Sequence, residues 1–151
     1  MTLKTTRITV PDGDDISNCM NEVAERGIIV IRDTSSTGLG NLDDPNSVVS
    51  VPTGTNGTPV GILTNDVVSK DLTQTHLNAH KDEVQVGGKV CVNKLGTWQT
   101  NKIKSGDTPV PGDPAHYGAD GEFTTTTTST KVGTFTSALD ADGYAVVDIR
   151  L

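Results

Sequence analysis

The sequence is poor in large apolar side chains. Aromatic residues make up only 3% of the 151 residues, and hydrophobic residues only 33%. A modest core is therefore expected, with contacts between subunits supplying part of the stability. No stretch approaches the about 18 apolar residues that a membrane-spanning helix requires, and the N-terminus lacks the apolar segment of a signal peptide. We expect a soluble protein that is synthesised in a cytoplasm.

Recognisable catalytic motifs are also missing. The sequence contains no P-loop, no nucleophile elbow, no zinc-protease motif and no dinucleotide fingerprint. The two cysteines, Cys19 and Cys91, form no Cys-x-x-Cys pair, which favours small buried thiols over a disulfide or a zinc site. We predict that the protein is not an enzyme and that it holds no cofactor and no metal.

Positive charge is scarce. The formal net charge is −7, and no run of five or more like charges occurs. Binding to nucleic acid or to an anionic membrane would require a basic patch. The charge therefore disfavours both as partners, and the acidic residues are interpreted as a solvated surface.

What the chain has in abundance are residues of strands and turns. It contains 23 Thr and 16 Gly, and its 15 Asp far outnumber its 4 Glu. Threonine favours strands, glycine and aspartate favour turns, and glutamate favours helices. This composition predicts a mainly β (α+β) protein with many short strands joined by tight turns.

Strands are predicted where apolar runs lie between turn residues. Single strands are expected at 28–31, 48–51 and 60–63 and around Trp98, and hairpins at 83–92 and 132–151. A long ordered loop is expected over 105–122, which is rich in proline and glycine, and the threonine run 124–130 suits an edge strand or a solvated extended segment.

One amphipathic helix is predicted over 15–26. Its apolar face would consist of Ile16, Cys19, Met20, Val23 and Ala24, at helical spacing. A second short helix is predicted over 71–81. Residues 1–14 are predicted to form an N-terminal arm or strand, because side chains alternate before a turn, and 15–151 a single β-rich domain.

Two pairs of side chains could hold a metal, and each has a simpler structural interpretation. His76 and His80 would share a helix face, but no third ligand is evident, and hydrogen bonding at a packed surface is favoured. Asp140 and Asp142 resemble the opening of a calcium loop, but the twelfth position is Leu151, and a hairpin turn is favoured.

Three further features have functional and structural interpretations. The sequence Asn-Gly-Thr at 56–58 matches a glycosylation site and also an Asn-Gly turn, which is favoured. The pair Asp43 and Asp44 could serve acid/base catalysis, but it lies in turn-like sequence with no nearby apolar run to shift a pKa, and a solvated loop is favoured. Trp98 serves either as a core anchor, which is favoured, or as an exposed contact residue.

Three segments resemble virion proteins of tailed phages. They are 61–73 (GILTNDVVSKDLT), 80–90 (HKDEVQVGGKV) and the ending 132–151 (VGTFTSALDADGYAVVDIRL). The last is similar to the closing hairpin of small phage head proteins. The resemblance covers roughly residues 58–151 and points to the head decoration (cement) proteins.

This resemblance implies a small β-barrel or β-tulip-like domain, often a homotrimer, on the outer surface of the capsid. Such a protein binds between subunits of the major capsid protein and stabilises the assembled head. The arm could add a strand to a neighbouring subunit. Candidate interface residues are Arg7, Ile8, Val10, His76, His80 and Trp98.

Two other functions are weighed beside decoration. A receptor- or carbohydrate-binding module of a phage tail or head fibre would present aromatic platforms, for which Trp98 and Tyr117 are the candidates. A trimeric β-barrel nucleotide hydrolase would carry Gly/Asp/Ser motifs at its subunit junctions, and no such set is evident.

Overall fold

The fold is mainly β, as the composition predicts. A computed structural model describes residues 14–34, 48–70 and 83–151. These residues form twelve strands: β1 Asp14–Met20, β2 Ile29–Arg32, β3 Val48–Ser50, β4 Pro59–Leu63, β5 Asp66–Val68, β6 Glu83–Gln85, β7 Lys89–Asn93, β8 Leu95–Thr100, β9 Pro114–Tyr117, β10 Phe123–Thr124, β11 Lys131–Phe135 and β12 Ala145–Arg150. Within these ranges the helical content is a 3-10 turn at Ala119–Gly121, and no helix is long and apolar enough to cross a membrane.

Five strands close into a barrel in the order β1-β3-β2-β4-β7. The pair β1–β3 is parallel and the other neighbours are antiparallel, with β7 closing the barrel against β1. Gly61 permits the close approach of β4 to β7, because a Cβ atom there would lie 2.3 Å from the backbone oxygen of Asn93. A larger residue at this position would push the two strands apart.

The second layer is an open antiparallel sheet in the order β10-β9-β11-β12-β8. Its centre is the hairpin of β11 and β12, in which Gly133 lies opposite Ile149 and Phe135 opposite Val147. This confirms the hairpin predicted at 132–151. A separate two-stranded ladder joins β5 and β6 in parallel.

Two apolar clusters form the core. The first fills the barrel and includes Met20, Val30, Val49, Val90 and Val92. The second lies between the barrel and the open sheet, and it consists of Ile29, Ile62, Ala115, Tyr117, Phe123, Val132, Phe135, Ala145, Val147 and Ile149. Strand β2 contributes Val30 to the first cluster and Ile29 to the second, which explains why three apolar residues follow one another at its start.

The helix predicted over 15–26 is wrong. Residues 14–20 form β1, which pairs with β3 and β7 and places Asn18, Cys19 and Met20 in buried positions. Val23, part of the predicted apolar helix face, is 60% exposed. Barrel closure satisfies the backbone of β1 through distant strands, and this tertiary pairing outweighs a short periodic pattern.

The hairpin predicted at 83–92 is correct in its strands and wrong in its pairing. The turn forms, with the N–H of Gly88 donating to the carbonyl of Gln85 at 2.8 Å. However, β6 pairs with β5, whereas β7 pairs with β1 and β4. Burial of Val90 and Val92 inside the barrel draws β7 away from β6.

The remaining predictions have mixed outcomes. The strands at 28–31, 48–51 and 60–63 and around Trp98 are confirmed. Loop 105–122 contains β9 and the 3-10 turn, and the threonine run contributes only Thr124 to edge strand β10. The predicted helix 71–81 and most of the arm 1–14 lie outside the described residues.

Candidate functional site

Strand β8 forms an open edge of the second sheet. All six of its residues pair with β12, and no other strand in the described part of the chain pairs with its opposite side. Leu95 is 51% exposed, and Gly96, Thr97 and Gln99 are exposed as well. Natural sheets usually cover, shorten or charge such an edge, because its unpaired backbone groups can bind another chain.

The direction of the backbone groups on β8 follows from the ladder. The N–H of Leu151 donates to the carbonyl of Lys94 at 3.0 Å, so these two residues form a hydrogen-bonded pair. In an antiparallel ladder such pairs alternate along the strand. The N–H and C=O groups of Leu95, Thr97 and Gln99 are therefore directed away from β12, along the open edge.

A cleft of about 510 Å³ separates the end of β4 from the end of β8. Leu63 and Thr64 lie on the barrel side, and Trp98, Gln99, Asn101 and Tyr144 on the sheet side. The hydroxyl of Thr100 donates to the carbonyl of Gly27 at 3.0 Å and connects the two sides. The volume is typical of small-molecule sites, which span about 300–1,000 Å³.

Trp98 is held by the sheet and by the second cluster. It lies opposite Val147, on the sheet face that packs against the barrel, and it is half-buried. Its Nε1 is buried and donates to no acceptor among the described residues. A Cβ atom on Gly96, whose φ is +132°, would lie 3.1 Å from this Nε1, so glycine leaves room for the indole.

Tyr144 reaches the cleft from the turn before β12. Asp140 Oδ1 accepts hydrogen bonds from the N–H groups of Asp142 at 3.0 Å and Tyr144 at 2.7 Å. Gly143 has a φ of +81°, which suits this turn. The carboxylate of Asp140 thus closes a hairpin turn, in line with the favoured interpretation, and it leaves Tyr144 38% exposed.

The polar groups of the cleft are mostly uncharged. Gln99 and Asn101 are exposed amides, and each can both donate and accept hydrogen bonds. The guanidinium of Arg26 lies 3.9 Å from the carboxylate of Asp66, so its charge is shared with an acidic partner. The cleft therefore combines two aromatic side chains with neutral hydrogen-bonding groups.

Two ionisable pairs outside the cleft serve structure. Lys102 donates a hydrogen bond to Glu25, and this bond together with the lysine charge lowers the pKa of Glu25. Burial alone would raise the pKa of Asp107, but hydrogen bonds from Thr124 and Thr125 and the charge of Lys104 lower it. Both carboxylates are held in the ionised form and are poorly suited to act as general bases near neutral pH.

The predicted interface residues are only partly within the described ranges. Trp98 lines the cleft, whereas Arg7, Ile8, Val10, His76 and His80 lie outside the described residues, as do Asp43 and Asp44. In the part of the chain that the structure describes, no three His, Cys, Asp or Glu side chains are grouped to hold a metal. The assignment of these residues to an interface stays a prediction.

The aromatic pair of the cleft differs from the pair proposed from sequence. Tyr117 is fully buried, and its hydroxyl donates to the carbonyls of Thr55 at 3.2 Å and Gly57 at 2.9 Å, so it cannot be an exposed platform. Sequence reasoning missed Tyr144. The available signal was its position directly after the Asp-Gly pair of the turn, because connecting segments run over the protein surface.

Comparison with known proteins identifies no relative, since no family model matches the chain and neither the curated proteins nor the solved structures give a significant match.

Proposed function

We propose that this chain is a virion structural protein that decorates the head of a tailed phage. In this proposal it binds between major capsid subunits on the outer surface and stabilises the assembled shell. The observation that carries the proposal is the open edge of β8, with exposed Leu95 and Thr97 and outward-directed backbone groups. The resemblance of residues 58–151 to phage decoration proteins supports the same function.

Docking would take place by strand addition. An extended segment of the major capsid protein pairs with β8, and the outward N–H and C=O groups of Leu95 and Thr97 supply main-chain hydrogen bonds. The exposed side chain of Leu95 adds apolar contact. Strand addition requires an extended partner segment in the matching register, and it does not depend on charge on the partner. A subunit of a protein lattice can supply such a segment.

The finer features of the fold belong to the same proposal. We assign the barrel and the open sheet to a β-tulip-like decoration domain that assembles as a homotrimer. The arm 1–14, with Arg7, Ile8 and Val10, reaches a neighbouring subunit. Deleting residues 1–10 should weaken loading onto capsids, and loading with full affinity would refute this part of the proposal.

Stabilisation would arise by mass action. A protein that binds the assembled lattice and not the free subunits shifts the equilibrium toward the lattice. Interfaces of about 1,000 Å² per site, repeated over a shell, are sufficient when they are well packed. A net charge of −7 keeps the exterior from binding nucleic acid.

Locating the protein on virus particles tests the proposal. Particles of the phage that encodes the chain should show density for it on the outer face of the head, and heads assembled without it should rupture at lower temperature. Density at the tail tip would overturn decoration and favour a receptor-binding module of a fibre. Particles that lack the protein altogether would overturn both.

A further inference from the structure

The cleft between β4 and β8 has the composition of a sugar-binding site. Trp98 and Tyr144 supply aromatic surface, and the amides of Gln99 and Asn101 supply donors and acceptors. We propose that this cleft binds a neutral oligosaccharide, whose apolar ring face packs on the aromatic side chains while its hydroxyl groups bond to the amides. This inference does not depend on the capsid function.

The chemistry of a sugar ring matches both kinds of group. The C–H bonds on one face of a pyranose are weakly positive and pack against the negative face of an aromatic ring. Its hydroxyl groups each donate and accept, as the amides of Gln99 and Asn101 do. A purely apolar ligand would make no hydrogen bonds to these amides. A small polar solute would make no use of the aromatic surface of Trp98 and Tyr144.

Charge distinguishes a neutral sugar from an anionic ligand such as a nucleotide. Phosphate recognition requires several cationic groups or a set of converging backbone N–H groups. In the cleft, Arg26 is already paired with Asp66 at 3.9 Å, and the chain as a whole carries a net charge of −7. The field around the cleft therefore disfavours phosphates and acidic sugars.

The backbone positions that carry both aromatic side chains are ordered before any ligand arrives. Trp98 is held by its ladder partner Val147 and by the second cluster, and the backbone of Tyr144 is held in the turn that Asp140 closes. Groups on strands and tight turns lose little conformational freedom on binding. The cleft lies at the Thr100 end of β8, whereas the proposed docking edge is centred on Leu95 and Thr97.

The position of the indole provides a direct assay, because Trp98 is the only tryptophan in the sequence. The full chain is applied to an array of defined oligosaccharides built from glucose, galactose, mannose, rhamnose and N-acetylglucosamine, with sialylated members included. Each oligosaccharide retained on the array is then titrated in solution while Trp98 fluorescence is recorded. We expect saturable fluorescence changes with neutral members.

Three variants locate the site. Tyr144→Ala should weaken binding about 10-fold or more, whereas Tyr144→Phe, which keeps the ring, should bind within about 3-fold of the unaltered chain. Asn101→Ala should weaken binding through loss of its amide. Val110→Ala is the matched control, since Val110 is 53% exposed and does not line the cleft.

Several outcomes would overturn the inference. The first is that the array retains no neutral oligosaccharide at millimolar concentration, and the second is that it retains only sialylated members. The third is that Tyr144→Ala and Val110→Ala bind the retained oligosaccharides with equal affinity. Tyr144 is exposed, so its replacement should leave the fold intact, and circular dichroism of each variant verifies this. Asn101 is exposed as well, and its variant gives an independent reading if Tyr144→Ala fails to fold.

Discussion

At the scale of single residues, Asp107 organises the start of the threonine run. Its Oδ2 accepts hydrogen bonds from the hydroxyl of Thr124 at 2.5 Å and the N–H of Thr125 at 2.9 Å. These bonds favour the ionised carboxylate more than burial opposes it, and the pKa of Asp107 is lowered. The side chain of Asp107 therefore fixes the first residues of the threonine run by hydrogen bonds.

Replacing Asp107 should reduce the loss of folding stability that the chain undergoes when the pH is lowered into the acid range. Because the folded pKa lies below the unfolded value of about 3.9, the ionised carboxylate stabilises the fold above that value. The contribution is lost as the pH falls through the folded pKa. Asp107→Asn should cost about 1 kcal/mol at pH 7, and the difference should shrink below about pH 4.

Urea unfolding at pH 7 and at pH 3 measures this difference. Asp142→Asn is the matched control, since Asp142 is an exposed carboxylate in the turn before β12. An equal loss for Asp107→Asn at both pH values would contradict the assignment of stability to the ionised form.

Tyr117 joins the open sheet to the loop before β4. Its ring belongs to the second cluster, and its hydroxyl donates to the carbonyls of Thr55 and Gly57. Tyr117→Phe keeps the ring and leaves both carbonyls without this donor, so we expect a loss of about 1–2 kcal/mol in the free energy of unfolding. Urea titration measures it, with Tyr144→Phe as the exposed control.

The contribution of Tyr117 to stability should also depend on pH in the alkaline range. Burial raises its pKa, so the protonated form stabilises the fold below the unfolded value of about 10. That contribution is lost as the pH rises through the folded pKa. The stability difference between the unaltered chain and Tyr117→Phe should therefore narrow above pH 10, and a difference that widens would be inconsistent with a buried, protonated hydroxyl.

At the scale of the element, β8 is a strand with one paired side and one open side. Its ladder to β12 alternates, so that residues 96, 98 and 100 bond inward and Leu95, Thr97 and Gln99 are directed outward. Proline is tolerated on an edge strand where the missing N–H faces solvent. Thr97 is therefore a position where the edge can be blocked without breaking the ladder.

Thr97→Pro should abolish or strongly weaken loading onto heads that lack the protein, because it removes an outward donor and obstructs an added strand. Stability should change by less than about 1 kcal/mol, since no ladder bond is lost. Co-sedimentation with purified heads measures loading, and urea titration measures stability.

Thr97→Val is the control for this prediction. It keeps the N–H and the β-branch but, like the proline variant, loses the hydroxyl contact to Asp148 at 3.4 Å. Loading of Thr97→Val should match that of the unaltered chain. If the proline variant loads equally well, β8 does not dock by strand addition.

At the scale of the whole molecule, the barrel and the open sheet share an apolar interface. The second cluster lies between them, and β2 contributes Ile29 to it while its neighbour Val30 lies in the barrel cluster. Neither layer can unfold without exposing apolar surface that belongs to the other. Unfolding is therefore expected to occur in one transition.

Ile29→Ala should destabilise both layers together, by about 2–4 kcal/mol, because it leaves a cavity between them. The fluorescence of Trp98 follows the open sheet, and far-UV circular dichroism follows all strands. Both probes should shift to the same lower urea midpoint, whereas Val23→Ala, at a position that is 60% exposed, should leave them unchanged. Separate midpoints for the two probes would show independent layers.

Much of the local structure could be predicted from the sequence. The apolar run of β2, the valines of β3 and β7 and the terminal hairpin around the Asp-Gly turn formed strands where alternation and turn residues placed them. These patterns act over a few residues, so a single sequence contains them. The same local reasoning favoured Trp98 as a core anchor over an exposed contact residue, and its side chain is half-buried against the second cluster.

The β-rich class, the net negative charge and the positions of many turns follow from composition and short-range backbone preference, and a single sequence therefore contains them. Four features required the folded structure: residues 14–20 close a barrel, β6 and β7 separate, Tyr117 is buried, and Tyr144 and Trp98 line one cleft. Each of these depends on pairing between segments far apart in the chain, whose energy no local pattern records.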